Sequence, residues 1–159
     1  MKNISYDGNG GLCFDNYFKY LESISEYLGQ ELYSFFADWE RYNLDSPKSL
    51  HDAWLCGFYF KTKADGKSDS PRLTLEFLGP YHDRKISFHY LKPSNIDLFE
   101  LEILSERNLD VETHEVIFEG SNMKHSIYFE DNKHITITSA SIRYTEVILR
   151  PGRGSKPVL

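Results

Sequence analysis

Two hydrophobic periods follow one another along the chain. From Asp15 to Tyr42, apolar residues recur every three or four positions, the spacing that lines one face of an α-helix. They form two groups separated by Gly29: Tyr17, Leu21, Ile24 and Leu28, then Leu32, Phe35, Phe36, Trp39 and Tyr42. The pattern predicts two amphipathic helices within residues 14–44, the first capped by Asp15 and the second ended before Pro47.

After Pro47 the period shortens to two, which is typical of strands with one buried face. Residues 53–61 form the first candidate strand, and residues 73–77 and 86–90 form a hairpin with a turn at 79–83. Further short strands are predicted around 99–103, 116–118, 127–129, 135–137 and 142–149, with a bulge near Thr145. Residues 50–149 should therefore form a meandering antiparallel sheet of about seven or eight strands, able to curl into a half-barrel.

The two patterns together predict a single α+β domain over all 159 residues, since this length normally supports one hydrophobic core. The residues expected at its centre are Leu21, Leu28, Phe36, Leu75, Phe77, Phe88 and Ile137. Residues 150–159 contain two prolines, two glycines and three basic residues. We expect this segment to be a flexible basic tail.

The first residues and the two cysteines bear on the compartment. Residues 1–11 contain no apolar run that resembles a signal peptide, which predicts a cytoplasmic protein. Cys13 and Cys56 are too few for a disulfide framework and lack zinc-ligand spacing. We therefore expect both cysteines to be reduced and to act as small apolar fillers.

Two His-Asp dipeptides are the main candidates for chemistry. His51 precedes Asp52, and His82 precedes Asp83; an imidazole beside a carboxylate is a possible general base. Neighbouring residues on a strand point to opposite faces, however, so the Asp is a poor orienting partner for the His. We interpret both pairs as surface residues. The alternative interpretation is an enzyme that uses one of the two pairs.

The remaining motifs do not indicate catalysis. His114, His125 and His134 lie on or beside successive strands, but a metal site needs all three on one face at one level. The sequence contains no glycine-rich phosphate loop and no nucleophile elbow. We predict no catalytic residue, no metal site and no cofactor.

Charge is unevenly distributed. The net charge of −6 disfavours direct binding of nucleic acid. Residues 95–120 contain eight acids and one arginine, a net charge of −7, and the rest of the chain sums to +1. Because Glu100 and Glu102 share one side of a predicted strand, we expect an acidic face that binds a basic protein. The candidate partner-binding residues are Glu100, Glu102, Glu106, Asp110, Glu112, Tyr81 and His82.

Two stretches carry a family resemblance. The segment His51–Leu55 (HDAWL) and the segment Leu73–Arg84 (LTLEFLGPYHDR) resemble immunity proteins of bacterial polymorphic-toxin and contact-dependent growth inhibition systems. The resemblance implies a cytoplasmic antidote that covers the active site of a cognate toxin, often a nuclease. It assigns no individual site residue. The alternative to a toxin-binding protein is a sheet domain that binds a small ligand.

Overall fold

The computed structural model describes residues 1–62, 70–99 and 109–149. It confirms the α+β fold: helices come first, and an antiparallel sheet follows. A small hairpin, β1 (Ser5–Tyr6) and β2 (Leu12–Cys13), precedes the helices and was not predicted. No helix within the described ranges has both the length and the apolar character needed to span a membrane.

The helical segment is more broken than its period predicts. Its helices are α1 (Asp15–Ser23), α2 (Ser25–Leu28) and α3 (Gln30–Phe36), followed by a 3₁₀ turn (Trp39–Arg41). Gly29 separates α2 from α3 as expected, and its φ of +75° suits glycine. The capping prediction was wrong: Phe14 is the N-cap of α1, and Asp15 is the first helical residue. There its carboxylate still faces the positive end of the helix dipole.

Six strands form the main sheet: β3 (Trp54–Lys61), β4 (Arg72–Leu78), β5 (Arg84–Phe99), β6 (Val111–Glu119), β7 (Asn122–Phe129) and β8 (His134–Ile148). Their spatial order is β3-β4-β5-β8-β7-β6, and all neighbours are antiparallel. The sheet departs from a simple meander because β8 lies between β5 and β7. The two longest strands, β5 and β8, therefore form its centre.

The bulge predicted near Thr145 is absent from β8, which pairs regularly with β5 from Ser141 to Ile148. The register shift lies instead in β5, between Pro93 and Asn95. Val147 is 52% exposed on the outer face. Because Val147 is apolar, it suggested that the buried positions of the strand shift by one residue, although its side chain is not buried.

The sheet curls until its two edge strands touch at one end. Trp54 at the beginning of β3 forms a single bridge with Asp110, just before β6. The N–H of Asp52 donates to the carbonyl of Val111 (2.8 Å), and the N–H of Val111 donates to the carbonyl of Ala53 (3.0 Å). Elsewhere in the described ranges β3 and β6 are opposite edges, so the sheet does not close into a barrel.

The helices and the inner face of the sheet share one aromatic core. Phe35 and Phe36 of α3 pack against Phe88 of β5, with ring centroids 5.4 and 6.3 Å apart. All seven predicted core residues are buried. Cys56 is not a filler as expected, because it is exposed at the irregular register of the edge strand β3.

Candidate functional site

Three aromatic residues lie at the end of the sheet where β4 turns into β5, and Trp54 of β3 pairs there with Leu78 of β4. We call Trp54, Tyr81 and His82 the aromatic end. The ring of His82 packs on that of Trp54, with centroids 4.2 Å apart, and Tyr81 is 59% exposed. The N–H of His82 donates to the carbonyl of Gly79 (2.8 Å), which holds the turn. The aromatic end thus exposes Tyr81 and His82, whereas Trp54 is half-buried.

An ion-pair network holds the end of this turn against β8 and the 3₁₀ turn. Arg84 donates to both carboxylate oxygens of Asp83 (3.0 Å each) and to Glu146 (2.7 Å), and Arg41 donates to the other oxygen of Glu146 (2.7 Å). Hydrogen bonds from Arg84 lower the pKa of Asp83. Burial alone would raise the pKa of Glu146, but the bonds from Arg41 and Arg84 outweigh burial and lower it. The network therefore stays ionised near neutral pH and fixes the base of the turn.

The two His-Asp pairs behave differently. His51 Nδ1 lies 3.0 Å from Asp52 Oδ1, so the argument from strand alternation was wrong for this pair. Asp52 has a φ of +61° and lies in a turn, where neighbouring side chains can face each other. In the second pair, Asp83 bonds to Arg84 and His82 packs on Trp54. Neither pair has the third, orienting residue of a catalytic triad within the described contacts.

The predicted acidic residues are divided among different environments. Glu100, Glu102 and Glu106 lie outside the described residues, so their acidic face stays a prediction. Asp110 lies beside Trp54 through the bridge between the edge strands. Glu112 accepts a hydrogen bond from the hydroxyl of Tyr6 (2.8 Å) and lines a cleft. The structure thus brings Asp110, Tyr81 and His82 to one end of the sheet, whereas Glu112 belongs to the lining of this cleft.

Two further acids of this segment have structural roles. Glu115 is buried and accepts the backbone N–H groups of Lys2 and Asn3, which ties the N-terminus to β6. Glu119 pairs with Lys124 on β7 (2.8 Å). Such pairing reduces the charge that these residues present to a partner.

A cleft of about 450 Å³ lies between the β1–β2 hairpin, the 3₁₀ turn and the start of β6. Its apolar walls are Leu12, Phe14, Trp39, Tyr42 and Leu44. Its polar lining includes Arg41, His51, Glu112, Thr113 and His114. The volume and the mixture of aromatic walls with a few polar groups are typical of small-molecule sites.

A chain of buried polar side chains begins at the floor of this cleft. His114 Nδ1 lies 3.3 Å from His125 Nε2, and His125 Nδ1 lies 2.8 Å from the hydroxyl of Tyr90. Burial lowers the pKa of His125 to about 3, and burial with the neighbouring His125 holds the pKa of His114 well below its usual value. Both imidazoles are therefore neutral at physiological pH.

The third histidine does not join this pair. His134 pairs with Phe99 and Tyr128 across the sheet and lies 3.8 Å from Asp97 Oδ2. In the described ranges, no three or more His, Cys, Asp or Glu side chains are grouped as metal ligands would be.

Sequence reasoning identified His51 and Glu112 but did not predict the cleft. Arg41 and His114 are 73 positions apart in the sequence, and no short motif contains both. The two segments meet in the fold, where His114 stacks on Tyr42 with ring centroids 4.9 Å apart. The sequence did contain one indication: His114 is a polar residue among the apolar positions of β6. Buried polar groups normally need hydrogen-bond partners from other parts of the chain.

Comparisons with known proteins add little. Neither a protein-family model nor a curated protein matches this chain. Among solved structures, an uncharacterized protein from Neisseria gonorrhoeae is similar, with 16% sequence identity and a TM-score of 0.46. The similarity covers 59% of this chain and 90% of that chain. At this identity and TM-score the likeness carries no argument about function.

Proposed function

We propose that this chain is an immunity protein, a non-catalytic inhibitor that works in the cytoplasm. It binds a cognate bacterial toxin with a basic active-site cleft, of which a nuclease is the leading example. The bridge between Trp54 and Asp110 carries the proposal. It brings one end of the acidic segment to the aromatic end, where the side chains of Tyr81 and Asp52 are exposed.

The chemistry of the aromatic end supports binding to a protein. Trp and Tyr are enriched among the residues that contribute most to protein interfaces, and Tyr81 is 59% exposed. Val147 and Ile148, 52% and 62% exposed, add apolar surface on the strand next to this turn. An exposed group of this kind normally marks an interaction site.

The carboxylates around the aromatic end support a basic partner. Asp52 lies in the turn that leads into β3, and its side chain is 61% exposed. Asp110, just before β6, is half-buried, and one oxygen of its carboxylate is buried. Arg84, the cation nearest this turn in sequence, is paired with Asp83 and Glu146. The exposed carboxylate of Asp52 is thus available to attract a positively charged cleft, which raises the association rate.

The neighbouring gene provides the partner for a test. We expect it to encode a long surface protein or a short basic toxin, and we expect co-expression of this chain to protect cells from that toxin. Tyr81→Ala should speed dissociation of the purified complex at least about tenfold, as for a central interface residue. Asp52→Asn should slow association several-fold at low salt and little at high salt, because salt screens exposed charges. Surface-binding kinetics across a salt series measure both effects.

Two variants on α2 provide the control. Tyr27 is 74% exposed and packs on Phe118 at the opposite end of β6. Tyr27→Ala and Glu26→Gln should leave both rate constants unchanged. If the chain neither protects cells nor binds the neighbouring toxin, or if the Tyr81 and Tyr27 variants behave alike, the proposal is contradicted.

A further inference from the structure

Strand β3 is an edge of the main sheet, with β4 on one side. At the beginning of β3 the other side is occupied, because Trp54 bridges to Asp110 and the N–H of Leu55 donates to the carbonyl of Leu109 (3.4 Å). Beside the rest of β3, residues 57–61, the described part of the chain places no further strand. We call residues 57–61 the edge segment.

The hairpin between β4 and β5 determines which way the backbone groups of β4 point. The N–H of Gly79 donates to the carbonyl of Arg84 (3.0 Å), so the backbone groups of Gly79 point toward β5. The N–H and C=O groups of successive residues on a strand alternate between its two sides. Counting back from Gly79, the groups of Glu76 and Thr74 therefore point the other way, toward β3.

Phe58 and Phe60 direct their backbone groups away from the sheet. Glu76 and Thr74 pair with Gly57 and Tyr59 of β3, whose backbone groups consequently point back toward β4. By the same alternation, the N–H and C=O groups of Phe58 and Phe60 point outward. No hydrogen bond within the described ranges reaches these outward groups. An edge of this kind is a template on which another strand can pair.

The edge strand on the opposite side of the sheet differs from β3. On β6 the N–H groups of Val116 and Phe118 donate to two tyrosine hydroxyls of α1 (2.9 and 2.8 Å). Among the described residues, the edge segment of β3 has no such contact. Its side chains are also exposed, by 57% for Tyr59 and 51% for Phe60. Exposed aromatic residues beside outward backbone groups are typical of a strand that pairs with a partner.

The edge segment is complementary to a second copy of itself. In an antiparallel pair centred on Tyr59, Phe58 of each copy lies opposite Phe60 of the other. These are hydrogen-bonded pairs, so every outward N–H and C=O group of the two phenylalanines gains a partner in both copies. The same register sets aromatic side chains opposite each other, which stabilises a sheet. It opposes no like charges, since Lys61 lies opposite Gly57 of the second copy.

The neighbouring registers are less favourable. A pair centred on Phe58 would set Phe60 opposite Cys56, where the register of β3 is already irregular. A pair centred on Phe60 would set Phe58 opposite Thr62, beyond the end of β3. Only the register centred on Tyr59 keeps all pairs within the regular part of the strand.

We propose that two copies of this chain associate through the edge segments of β3, antiparallel and centred on Tyr59, so that their sheets become continuous. The contact is short, and small interfaces are weak, so dimerisation should depend on protein concentration. Tyr81 and His82 of the aromatic end are not part of the edge segment. The dimer is therefore independent of the proposed binding of a toxin.

Sedimentation velocity of the full chain, from about 10 µM to about 1 mM, covers the range of weak association. The wild type should shift from monomer to dimer within this range. Phe60→Pro should stay monomeric, because proline removes the outward N–H but leaves the pairing with β4 intact. Phe60→Val keeps that N–H and loses only the ring, so it should weaken the dimer several-fold. Tyr27→Ala, which removes an exposed tyrosine on α2, is the control and should dimerise like the wild type.

A cross-link tests the register without relying on the proline variant. In a chain with Cys13→Ser and Cys56→Ser, Tyr59→Cys places the new thiol opposite its own copy. The two Cα atoms would then be about 4.5 Å apart, within the range of a disulfide, so mild oxidation should give a covalent dimer. Arg72→Cys is the matched control. Arg72 is exposed on β4, three strand spacings or about 14 Å from the same strand of the second copy, and should not cross-link.

Several results would overturn the proposal. A wild type that is still monomeric at the highest concentration would show that the edge segment does not pair with a second copy. A dimer that persists in a folded Phe60→Pro variant, or equal cross-linking of the two cysteine variants, would mean that the copies meet elsewhere. A monomeric chain whose Phe60→Pro variant no longer binds the toxin would assign the edge segment to a strand of the toxin instead.

Discussion

His125 lies in the middle of an apolar core. It is fully buried, its ring centroid is 4.8 Å from that of Phe88, and its only described hydrogen-bond partners are Tyr90 and His114. A charged imidazolium would be poorly solvated in this position, so the fold requires neutral His125. The stability of the protein should therefore depend on pH in the range where histidine titrates.

We expect the free energy of unfolding to decrease as the pH drops below 6.5. Histidine in the unfolded chain titrates near 6.5, whereas in the fold the pKa of His125 is about 3 and that of His114 is also lowered. The unfolded state thus binds more protons between these values. Each such histidine should lower the free energy of unfolding by about 1.4 kcal/mol per pH unit within the window. Urea titrations between pH 7 and 5 measure this slope at pH values above those at which most carboxylates titrate.

The variant His125→Gln should reduce the dependence of the free energy of unfolding on pH by the contribution of about one proton. This holds whatever its effect on stability at pH 7. His89 is the matched control, because burial also lowers its pKa but it lies on the outer face, bonded to Thr74 and Thr145. His89→Gln should reduce the slope less than His125→Gln does. Equal slopes for the wild type and the His125 variant would show that His125 is protonated within the fold.

Strand β6 is an edge of the sheet, and α1 protects part of that edge. The N–H of Val116 donates to the hydroxyl of Tyr17 (2.9 Å), and the N–H of Phe118 donates to that of Tyr20 (2.8 Å). Tyr17 and Val116 are both fully buried. Two side chains one helical turn apart therefore replace a neighbouring strand, which limits pairing with other chains.

Tyr17→Phe should lower the free energy of unfolding by about 1–3 kcal/mol, because it leaves the buried N–H of Val116 without an acceptor. Hydrogen exchange at Val116 should become faster by a larger factor than exchange in β8. Tyr27→Phe is the control and should have no effect, since Tyr27 is 74% exposed. Unchanged protection of Val116 in the Tyr17 variant would show that this hydrogen bond contributes nothing to the edge.

At the scale of the whole molecule, aromatic packing and an ion pair also join the helical layer to the sheet. The rings of Phe35 and Phe36 pack against Phe88, and Arg41 in the 3₁₀ turn pairs with Glu146 on β8 at 2.7 Å. Separating the layers would expose aromatic surface and strand a partly buried ion pair, and both changes are costly.

We therefore expect the two layers to unfold in one transition. The two tryptophans divide between them, since Trp39 belongs to the helical layer and Trp54 to the sheet. Trp39→Phe and Trp54→Phe each leave one reporter, and circular dichroism monitors the whole chain. All three urea curves should have the same midpoint once corrected for the stability of each variant. An earlier transition at Trp39 would mean that the helical layer unfolds by itself.

The sequence determined the local structure and the class of fold. Side chains spaced every three or four positions can only be buried together on a helix, and alternating ones only on a strand. For this reason Leu21, Leu28 and Phe36, and Leu75, Phe77 and Phe88, could be assigned to the core correctly. The exposed Tyr81 and the His82–Asp83 turn were also visible as a break between two strands.

Tertiary structure alone decided which distant segments meet. The position of β8 between β5 and β7 and the contact of Trp54 with Asp110 depend on the order and curvature of the strands, which periodicity does not encode. The cleft depends on the stacking of His114 against Tyr42. Hydrophobic burial is non-directional and specifies only that a side chain leaves water; the neighbours that it then meets, and the polar groups left unpaired among them, follow from the packing of the complete chain.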